Sequence, residues 1–285
     1  MIKKIDKKTI LIFSTARSGS TWLAGLLASP FRYRLLFEPF HPENVPGASL
    51  VADHYFHPDA IPEEAGKFIH SALTDQIECD WIAQSSNRRL NMHRWRWWPK
   101  VCIIKCIRGN LLIPVLRNLY NNQLPIIVLV RHPGAVVESM LRVNFPWTYD
   151  LSTLFEQDQF FETYNLPVDL FLQNIHDPVG QLTTRWLIEN LYLFNHADQL
   201  GIKLLFYEDL IRDPVGQVTQ LCEEFELKVY DKLDEKVNKP SYTTHPRSPV
   251  KKGEIKANSW QTRMKASDVE KIEKILDSVG FKYPR

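Results

Sequence analysis

Three segments of the chain combine arginine or lysine with glycine or hydroxyl residues, which are the residue types that bind phosphate-like anions. In the first, at residues 16–22 (ARSGSTW), Arg17 offers a forked, permanently charged donor and Gly19 lets the backbone approach a ligand closely. The second runs from Arg131 to Ser139, and the third is the basic stretch at 249–260 (PVKKGEIKANSW). The sequence therefore predicts up to three anion-binding places.

Two further charged residues follow apolar runs and could act on a bound ligand. Glu38 stands in FEPFHP, where the prolines around His41 exclude regular structure and place both side chains in a loop. A carboxylate there can accept a proton, although it could also be only a salt-bridge partner of Arg17. Lys105 closes the apolar run VCIIKC, and a solvated charge at a strand end is an equally weighted alternative to a role in a site.

Alternating apolar runs and helical patterns describe the elements that must position these residues. Continuous apolar runs predict strands at 10–13, 33–37, 101–106, 124–130 and 202–206. Helices are predicted at 20–27, 63–82, 110–120, 134–142, 177–200, from 213, and at 267–278 with a capping box from Ser267 to Glu270. Residues 143–176 show no clear period. The expected fold is α/β, one domain over 1–285 with a central parallel sheet flanked by helices.

Two of the anion segments follow predicted strands and lead into predicted helices. A helix N-terminus carries unpaired N–H groups and the positive end of the helix dipole, so the loop at 16–22 favours a bound anion over an ordinary capped helix. Arg131 leaves its strand as Arg17 does, at the sheet edge where open α/β folds bind ligands.

The composition is typical of a folded protein and does not favour general binding of nucleic acid. The 285 residues are 44% hydrophobic and 24% charged, and 35 basic against 33 acidic residues give no overall field for nucleic acid. A basic and aromatic patch at 88–100 could stack bases, but a lid or substrate wall is the favoured interpretation. No apolar run spans a membrane or marks a leader, which predicts a cytoplasmic protein without membrane contact. The four cysteines are expected to be free core thiols.

Together with FEP after the second strand and YEDL after a later one, the ordered segments resemble the sulfotransferases that use 3′-phosphoadenosine 5′-phosphosulfate (PAPS). The resemblance covers nearly the whole chain and implies a P-loop-like sulfotransferase domain with PAPS as donor and adenosine 3′,5′-bisphosphate (PAP) as product. It implies that the first loop binds the 5′-phosphosulfate, and that the second and third segments bind the 3′-phosphate beside an adenine-contacting tyrosine. The implied residues are Arg17, Ser18, Gly19, Ser20, Thr21, Trp22, Arg131, Ser139, Lys251, Lys252, Gly253 and Tyr207.

The chain departs from the cytosolic phenol and steroid enzymes and is more similar to the carbohydrate branch. Arg17 stands where those enzymes have a lysine, and Ile107 stands where they have the catalytic histidine. By resemblance to the F-E-P carboxylate of the carbohydrate enzymes, Glu38 is the implied general base, with His41 as its substitute. The third segment departs from the family pattern, because it is two residues longer before Trp260 and lacks the second glycine.

Sulfuryl transfer resembles phosphoryl transfer and depends mainly on positioning and fixed positive charge, which Arg17 and Lys105 can supply without a metal. The expected acceptor is a small polar molecule with a hydroxyl or amine, such as a sugar or natural-product metabolite. A P-loop kinase is the enzymatic alternative, but the chain has no G-x-x-x-x-G-K-[ST]. A nucleotide-binding or nucleic-acid-binding module is the non-enzymatic alternative.

Overall fold

All five predicted strand regions form parallel strands of one sheet. The computed structural model describes residue 5 and residues 7–84, 99–241 and 259–285. The spatial order is β2-β3-β1-β4-β5. The strands are β1 (Lys8–Phe13), β2 (Tyr33–Phe37), β3 (Val101–Cys106), β4 (Ile126–Val130) and β5 (Lys203–Phe206).

The central strands are apolar throughout because helices cover both faces of the sheet. Along β1, Leu11 and Phe13 pack into one hydrophobic core, whereas Ile10 and Ile12 pack into the other. These four side chains are at most 1% exposed. Burial on both faces explains why the runs lack the alternation of a half-exposed strand.

Thirteen α-helices are found in the described ranges, together with short 3₁₀ turns at Ala48–Leu50, Asn110–Leu112 and Pro146–Thr148. The helices are α1 (Ser20–Leu27), α2 (Glu63–Leu73), α3 (Asp80–Ala83), α4 (Ile113–Leu119), α5 (Pro133–Val143), α6 (Ser152–Phe155), α7 (Asp158–Thr163), α8 (Val168–Leu172), α9 (Pro178–His196), α10 (Tyr207–Arg212), α11 (Pro214–Glu224), α12 (Leu233–Val237) and α13 (Ala266–Ser278). Residues 143–176, which showed no period, contain helices too short to reveal one.

Four helix predictions were wrong in extent or detail, and in one of them the helix expected at 177–200 ends at His196. The helix expected at 63–82 ends at Leu73, because Asp75 adopts a left-handed φ of 60° and pairs with buried Arg34 at 3.1 Å. The helix expected at 110–120 is 3₁₀ for its first three residues, since Pro114 has no N–H to donate to Asn110. Tyr192 donates to that carbonyl instead, at 2.5 Å.

The expected capping box at the start of α13 is also absent. The helix begins at Ala266 after Lys265, and no side chain caps it. Ser267 therefore lies inside the first turn rather than before it.

The strand order places a crevice at the carboxyl ends of β1 and β4. The chain runs from β1 to one side of the sheet through β2 and β3, and β4 and β5 then extend the other side. Connections that leave neighbouring strands in opposite directions open a gap between them, and ligands of open α/β sheets bind there. None of the described helices has the length and apolarity needed to cross a bilayer. All four cysteines are unpaired, three of them buried and Cys79 half-buried.

Candidate active site

A cavity of about 410 Å³ opens above the carboxyl ends of the strands. Most of the predicted site residues line it: Arg17, Gly19, Ser20, Thr21, Trp22, Glu38, His41, Lys105, Arg131, Ser139 and Tyr207. Ser18 is buried and does not line the cavity. Lys251, Lys252 and Gly253 lie outside the described residues, as does nearly all of the patch at 88–100.

The loop between β1 and α1 has the backbone of an anion-binding turn. Arg17 and Gly19 both adopt left-handed φ values, 71° and 92°, and α1 starts without a side-chain cap. Ser14 donates from its hydroxyl to Ser20 at 2.7 Å, which ties the start of the loop to the start of the helix. A Cβ on Gly19 would stand 2.6 Å from the Tyr207 ring, so only glycine lets this aromatic side chain pack on the loop.

The predicted first and second anion segments meet in space. Arg17 donates from Nε to Ser139 Oγ at 3.1 Å, and Arg131 donates from Nη1 to the Arg17 carbonyl at 3.0 Å. The Arg131 guanidinium also lies 4.5 Å from the centre of the Tyr207 ring. Residues that are more than 100 positions apart in sequence thus form one continuous cationic surface.

Two arginines that the sequence analysis did not identify complete this surface. Arg142 approaches Ser139 Oγ at 3.4 Å, and Glu138 accepts hydrogen bonds from both Arg142 and Arg263. We call Arg17, Arg131, Arg142 and Arg263 the arginine cluster. Arg142 could have been found from its i, i+3 spacing to Ser139 on a helix, whereas no local pattern marks Arg263.

Burial and the closely spaced arginines shift the pKa values of Arg17 and Glu138. Burial, followed by the charges of Arg142 and Arg131, lowers the pKa of Arg17. Burial opposes ionisation of Glu138, but hydrogen bonds from Arg263 and Arg142 hold its pKa below the usual range. An anionic ligand would relieve the repulsion among these guanidinium groups.

At the other end of the cavity, Glu38 pairs with Lys105 and Arg108. The Lys105 ammonium donates to Glu38 Oε1, and Arg108 Nη1 lies 3.6 Å from Oε2. Register explains the first contact, because Phe37 at the end of β2 lies opposite Lys105. Lys105 is only 3% exposed, so the solvated-charge interpretation is wrong. The carboxylate partners are these two cations and not the predicted Arg17.

His41 lies beside this group with both ring nitrogens already engaged, because the Asn44 side-chain amide lies 3.2 Å from Nε2. Its Nδ1 accepts hydrogen bonds from the backbone N–H groups of Glu43 and Asn44, both at 3.3 Å. Burial and then the charge of Arg108 lower the pKa of His41. The ring meets Trp81 edge-on at 4.6 Å. We call Glu38, Lys105, Arg108 and His41 the Glu38 cluster.

A buried chain of charges supports the Glu38 cluster from below. The Arg108 guanidinium stacks 3.9 Å from the Trp147 ring centre, and the Arg108 carbonyl accepts from the N–H of Asp53. Arg185 holds the loop of Trp147 through its carbonyls and lies 3.6 Å from Asp53 and 3.0 Å from Glu189. Burial raises the pKa of Glu189 to about 7, against the opposing charge of Arg185. Charges of alternating sign therefore continue from the cavity into the core.

Comparison with known proteins identifies the family. The family model described as the sulfotransferase family matches residues 9–232. Among curated proteins, none matches the sequence. The fold is similar to that of the sulfotransferase domain from the curacin biosynthetic pathway, which is 18% identical, with 99% of this chain and 100% of that chain covered and a TM-score of 0.55.

A second solved structure, the sulfotransferase domain from the Synechococcus PCC 7002 olefin synthase, is also 18% identical. Both chains are covered completely, with a TM-score of 0.50. At these identities the two structures show the P-loop-like fold, whereas the family match extends over more than half of the sequence. The chain belongs to the sulfotransferase family.

Proposed function

We propose that the protein transfers the sulfuryl group of PAPS to a hydroxyl group of a small acceptor. The observation that carries the proposal is the direct hydrogen bond between Arg17 and Ser139, which joins the two predicted anion segments. A ligand with an anionic group at each end of a nucleoside can span these neighbouring places. PAPS has this charge distribution, with a 3′-phosphate and a 5′-phosphosulfate.

The residues present fit such a ligand. Arg131 Nε and Arg142 Nη1 are buried and have no hydrogen-bond partner within the described ranges. Both N–H groups can therefore donate to a bound anion. Arg131 and Ser139 would hold the 3′-phosphate, and the loop that carries Arg17 would hold the 5′-phosphosulfate at the N-terminus of α1. Tyr207, packed on Gly19 and Arg131, would contact the adenine.

The donor would supply a sulfuryl group whose sulfur bonds to the acceptor oxygen as its bond to the 5′-phosphate oxygen breaks. Arg17 and Lys105 provide fixed positive charge for the sulfuryl oxygens and for the electron pair that the leaving phosphate takes. Glu38 orients Lys105 through their ion pair. These are positioning and electrostatic roles, and we propose that they require no metal.

Glu38 is the proposed base that takes the proton from the acceptor hydroxyl. The competing candidate, His41, accepts two backbone hydrogen bonds at Nδ1, and the Asn44 side-chain amide lies 3.2 Å from its Nε2. Both ring nitrogens of His41 are therefore engaged by groups of the protein rather than free for an acceptor hydroxyl. We therefore assign proton transfer to Glu38 and a positioning role to His41.

A pair of ligands that differ in the 3′-phosphate tests the donor. Arg131→Ala and Ser139→Ala are expected to weaken binding of PAP by about tenfold or more, the effect of losing a charge-assisted hydrogen bond. Binding of adenosine 5′-phosphosulfate, which lacks the 3′-phosphate, should change little. The exposed Arg212, on α10, supplies the matched control Arg212→Ala. Calorimetry measures each affinity. Equal losses for both ligands would contradict the assignment of Arg131 and Ser139 to the 3′-phosphate.

Transfer itself is tested by incubating the protein with PAPS and alcohols and detecting sulfated products by mass spectrometry. Parallel reactions with ATP test the kinase alternative, and a chelator tests metal independence. Sulfated product with PAPS, unaffected by the chelator, is the expected result. Phosphorylated product with ATP and magnesium would favour the kinase instead.

A further inference from the structure

Among the described residues, the Glu38 end of the cavity is walled largely by aromatic and apolar side chains. They come from β2, α3, the residue after β3, and the segment that follows α5: Phe37, Trp81, Ile107, Phe145 and Trp147. Phe37 and Trp81 pack at 5.6 Å between ring centres, and Trp81 contacts His41 edge-on. Flat apolar surfaces therefore surround the proposed base.

The charges at this end already have partners. Lys105 donates to Glu38, Arg108 lies 3.6 Å from it, and Asp53 and Arg185 continue the alternation of sign behind Arg108. A charged group on the acceptor would lose its hydration against tryptophan rings and would meet a cation and a carboxylate side by side. This environment disfavours an acceptor with either sign of charge.

Hydrogen-bond acceptors are limited at this end, because Glu38 is the only carboxylate among the described residues that line the cavity. Donors remain, since Arg108 Nη1 and Trp81 Nε1 are buried without a hydrogen-bond partner in the described residues, but His41 Nδ1 already accepts from two backbone amides. A sugar would bring several hydroxyls that lose water on entering, and each of them has a hydrogen that needs an acceptor. One hydroxyl beside Glu38 can be satisfied, whereas a ring of hydroxyls cannot be satisfied by the described residues here.

We infer that the acceptor is an uncharged alcohol whose single reacting hydroxyl is carried on an apolar, preferably flat body. This inference rests on the proposed function, because it assumes that Glu38 faces the acceptor. It replaces the small polar acceptor that the sequence predicted. The flat body lies against the tryptophan-lined wall, and the hydroxyl points to the carboxylate.

Matched acceptors test the inference on the protein saturated with PAP. Benzyl alcohol is compared with 4-(hydroxymethyl)benzoate and 4-(hydroxymethyl)benzylamine, which add a charge of either sign to the same reacting group. Tetrahydropyran-2-methanol is compared with methyl glucopyranoside, which adds hydroxyls to the same ring. The neutral, less polar member of each comparison should bind at least tenfold more tightly, measured by ligand-observed NMR. With PAPS, the same order is expected in kcat/KM.

Tighter or equal binding of the glycoside or of a charged analogue would overturn the inference, as would absence of binding by the neutral alcohols. If PAP binds but this acceptor order fails, only the acceptor inference is wrong. If PAP itself does not stabilise the protein against thermal unfolding, the proposed function fails and the inference fails with it. The two failures are therefore distinguishable.

A variant that adds an unpaired charge should reverse the selectivity. Ile107 lines the wall and is half-buried, so Ile107→Lys introduces an ammonium without a matching carboxylate. We expect the ratio of affinities for 4-(hydroxymethyl)benzoate and benzyl alcohol to rise at least tenfold, with PAP binding retained. Ile107→Met is the matched control and should leave the ratio unchanged. An unchanged ratio in Ile107→Lys would contradict placement of the acceptor at this wall.

Discussion

The two ends of the cavity, the arginine cluster and the Glu38 cluster, differ in how their charges are paired. Around the arginine cluster, Glu138 accepts hydrogen bonds from Arg142 and Arg263, whereas Arg17 and Arg131 donate to the Ser139 hydroxyl and the Arg17 carbonyl, which leaves positive charge for a ligand. In the Glu38 cluster, the carboxylate is paired with two cations, and aromatic rings form much of the wall. One end is suited to binding by charge, whereas the other is suited to orienting a neutral reactant. This difference predicts which variants affect affinity and which affect turnover.

The strongest test of the Glu38 end is Glu38→Gln. Glutamine keeps the size of the side chain but cannot take the acceptor proton, so kcat should fall by about 10²- to 10⁴-fold. PAP should still raise the melting temperature, because the arginine cluster is intact, and this also shows that the variant folds. Steady-state kinetics with a neutral alcohol measure the loss.

His41→Ala is the comparison variant and should cost less, since the ring already accepts two backbone hydrogen bonds at Nδ1. Near-normal turnover in Glu38→Gln together with a collapse in His41→Ala would transfer the role of base to His41.

At the arginine cluster, Arg17 is the residue expected to affect turnover more than affinity. Its charge should meet the sulfuryl group most strongly in the transition state, so Arg17→Ala should lower kcat by about 10²-fold and PAP affinity much less. Because Arg17 has a φ of 71°, Arg17→Asn serves as a second variant whose side chain tolerates this backbone. An unchanged kcat with a raised KM in both variants would reduce Arg17 to a binding contact.

Protonation of His132, which lies beside Arg131, should lower the free energy of unfolding in acid. Burial and then the charge of Arg131 lower its pKa to about 4, and its neutral Nδ1 caps α5 by accepting from Gly134. The unfolded chain, with a histidine pKa near 6.5, binds the proton more readily, so stability is present above about pH 6.5 and is lost as pH falls toward 4. From pH 7 to pH 5 the loss is about 2 kcal/mol.

In His132→Asn, which keeps a capping side chain, that part of the pH dependence should disappear. His176→Asn, at an exposed position, is the control. Chemical denaturation at the two pH values measures both variants, and an undiminished acid loss in His132→Asn would show that another group is responsible.

Sequence alone predicted the charged end better than the aromatic end, for a physical reason. The loop at 16–22 and the pair Arg131 and Ser139 lie within single strand–loop–helix units, where local spacing determines where backbone and side chains point. The parallel sheet followed from continuous apolar runs, and all five strands were predicted.

The wall near Glu38 could not be predicted in this way. Trp81, Trp147 and Arg185 come from segments with no common local pattern and meet only through tertiary packing. Whether Lys105 is buried or solvated likewise depended on its register with Phe37, which the sequence does not specify.

The smallest expected effect concerns Arg142. It tests whether the positive charge of the arginine cluster binds the ligand through a directed contact. Arg142 reaches Ser139 Oγ at 3.4 Å and keeps one buried Nη1 without a partner in the described part of the chain, so a 3′-phosphate is its expected ligand. Arg142→Met preserves the length of the side chain and removes its charge. PAP affinity should fall by about tenfold, the lower range for one charged hydrogen bond. Affinity for adenosine 5′-phosphosulfate should stay the same.

Since Glu138 would keep its contact with Arg263, the variant should also fold. Arg212→Met removes an exposed guanidinium from α10 and controls for the general effect of net charge. Because binding of a multiply charged ligand weakens with salt, the advantage of the native protein over Arg142→Met should shrink as salt is raised, while the Arg212→Met curve follows the native one. If both arginine variants lose affinity equally, the cluster acts only through its overall field, and the distinction between a directed anion site and a charge-balanced acceptor wall would no longer hold.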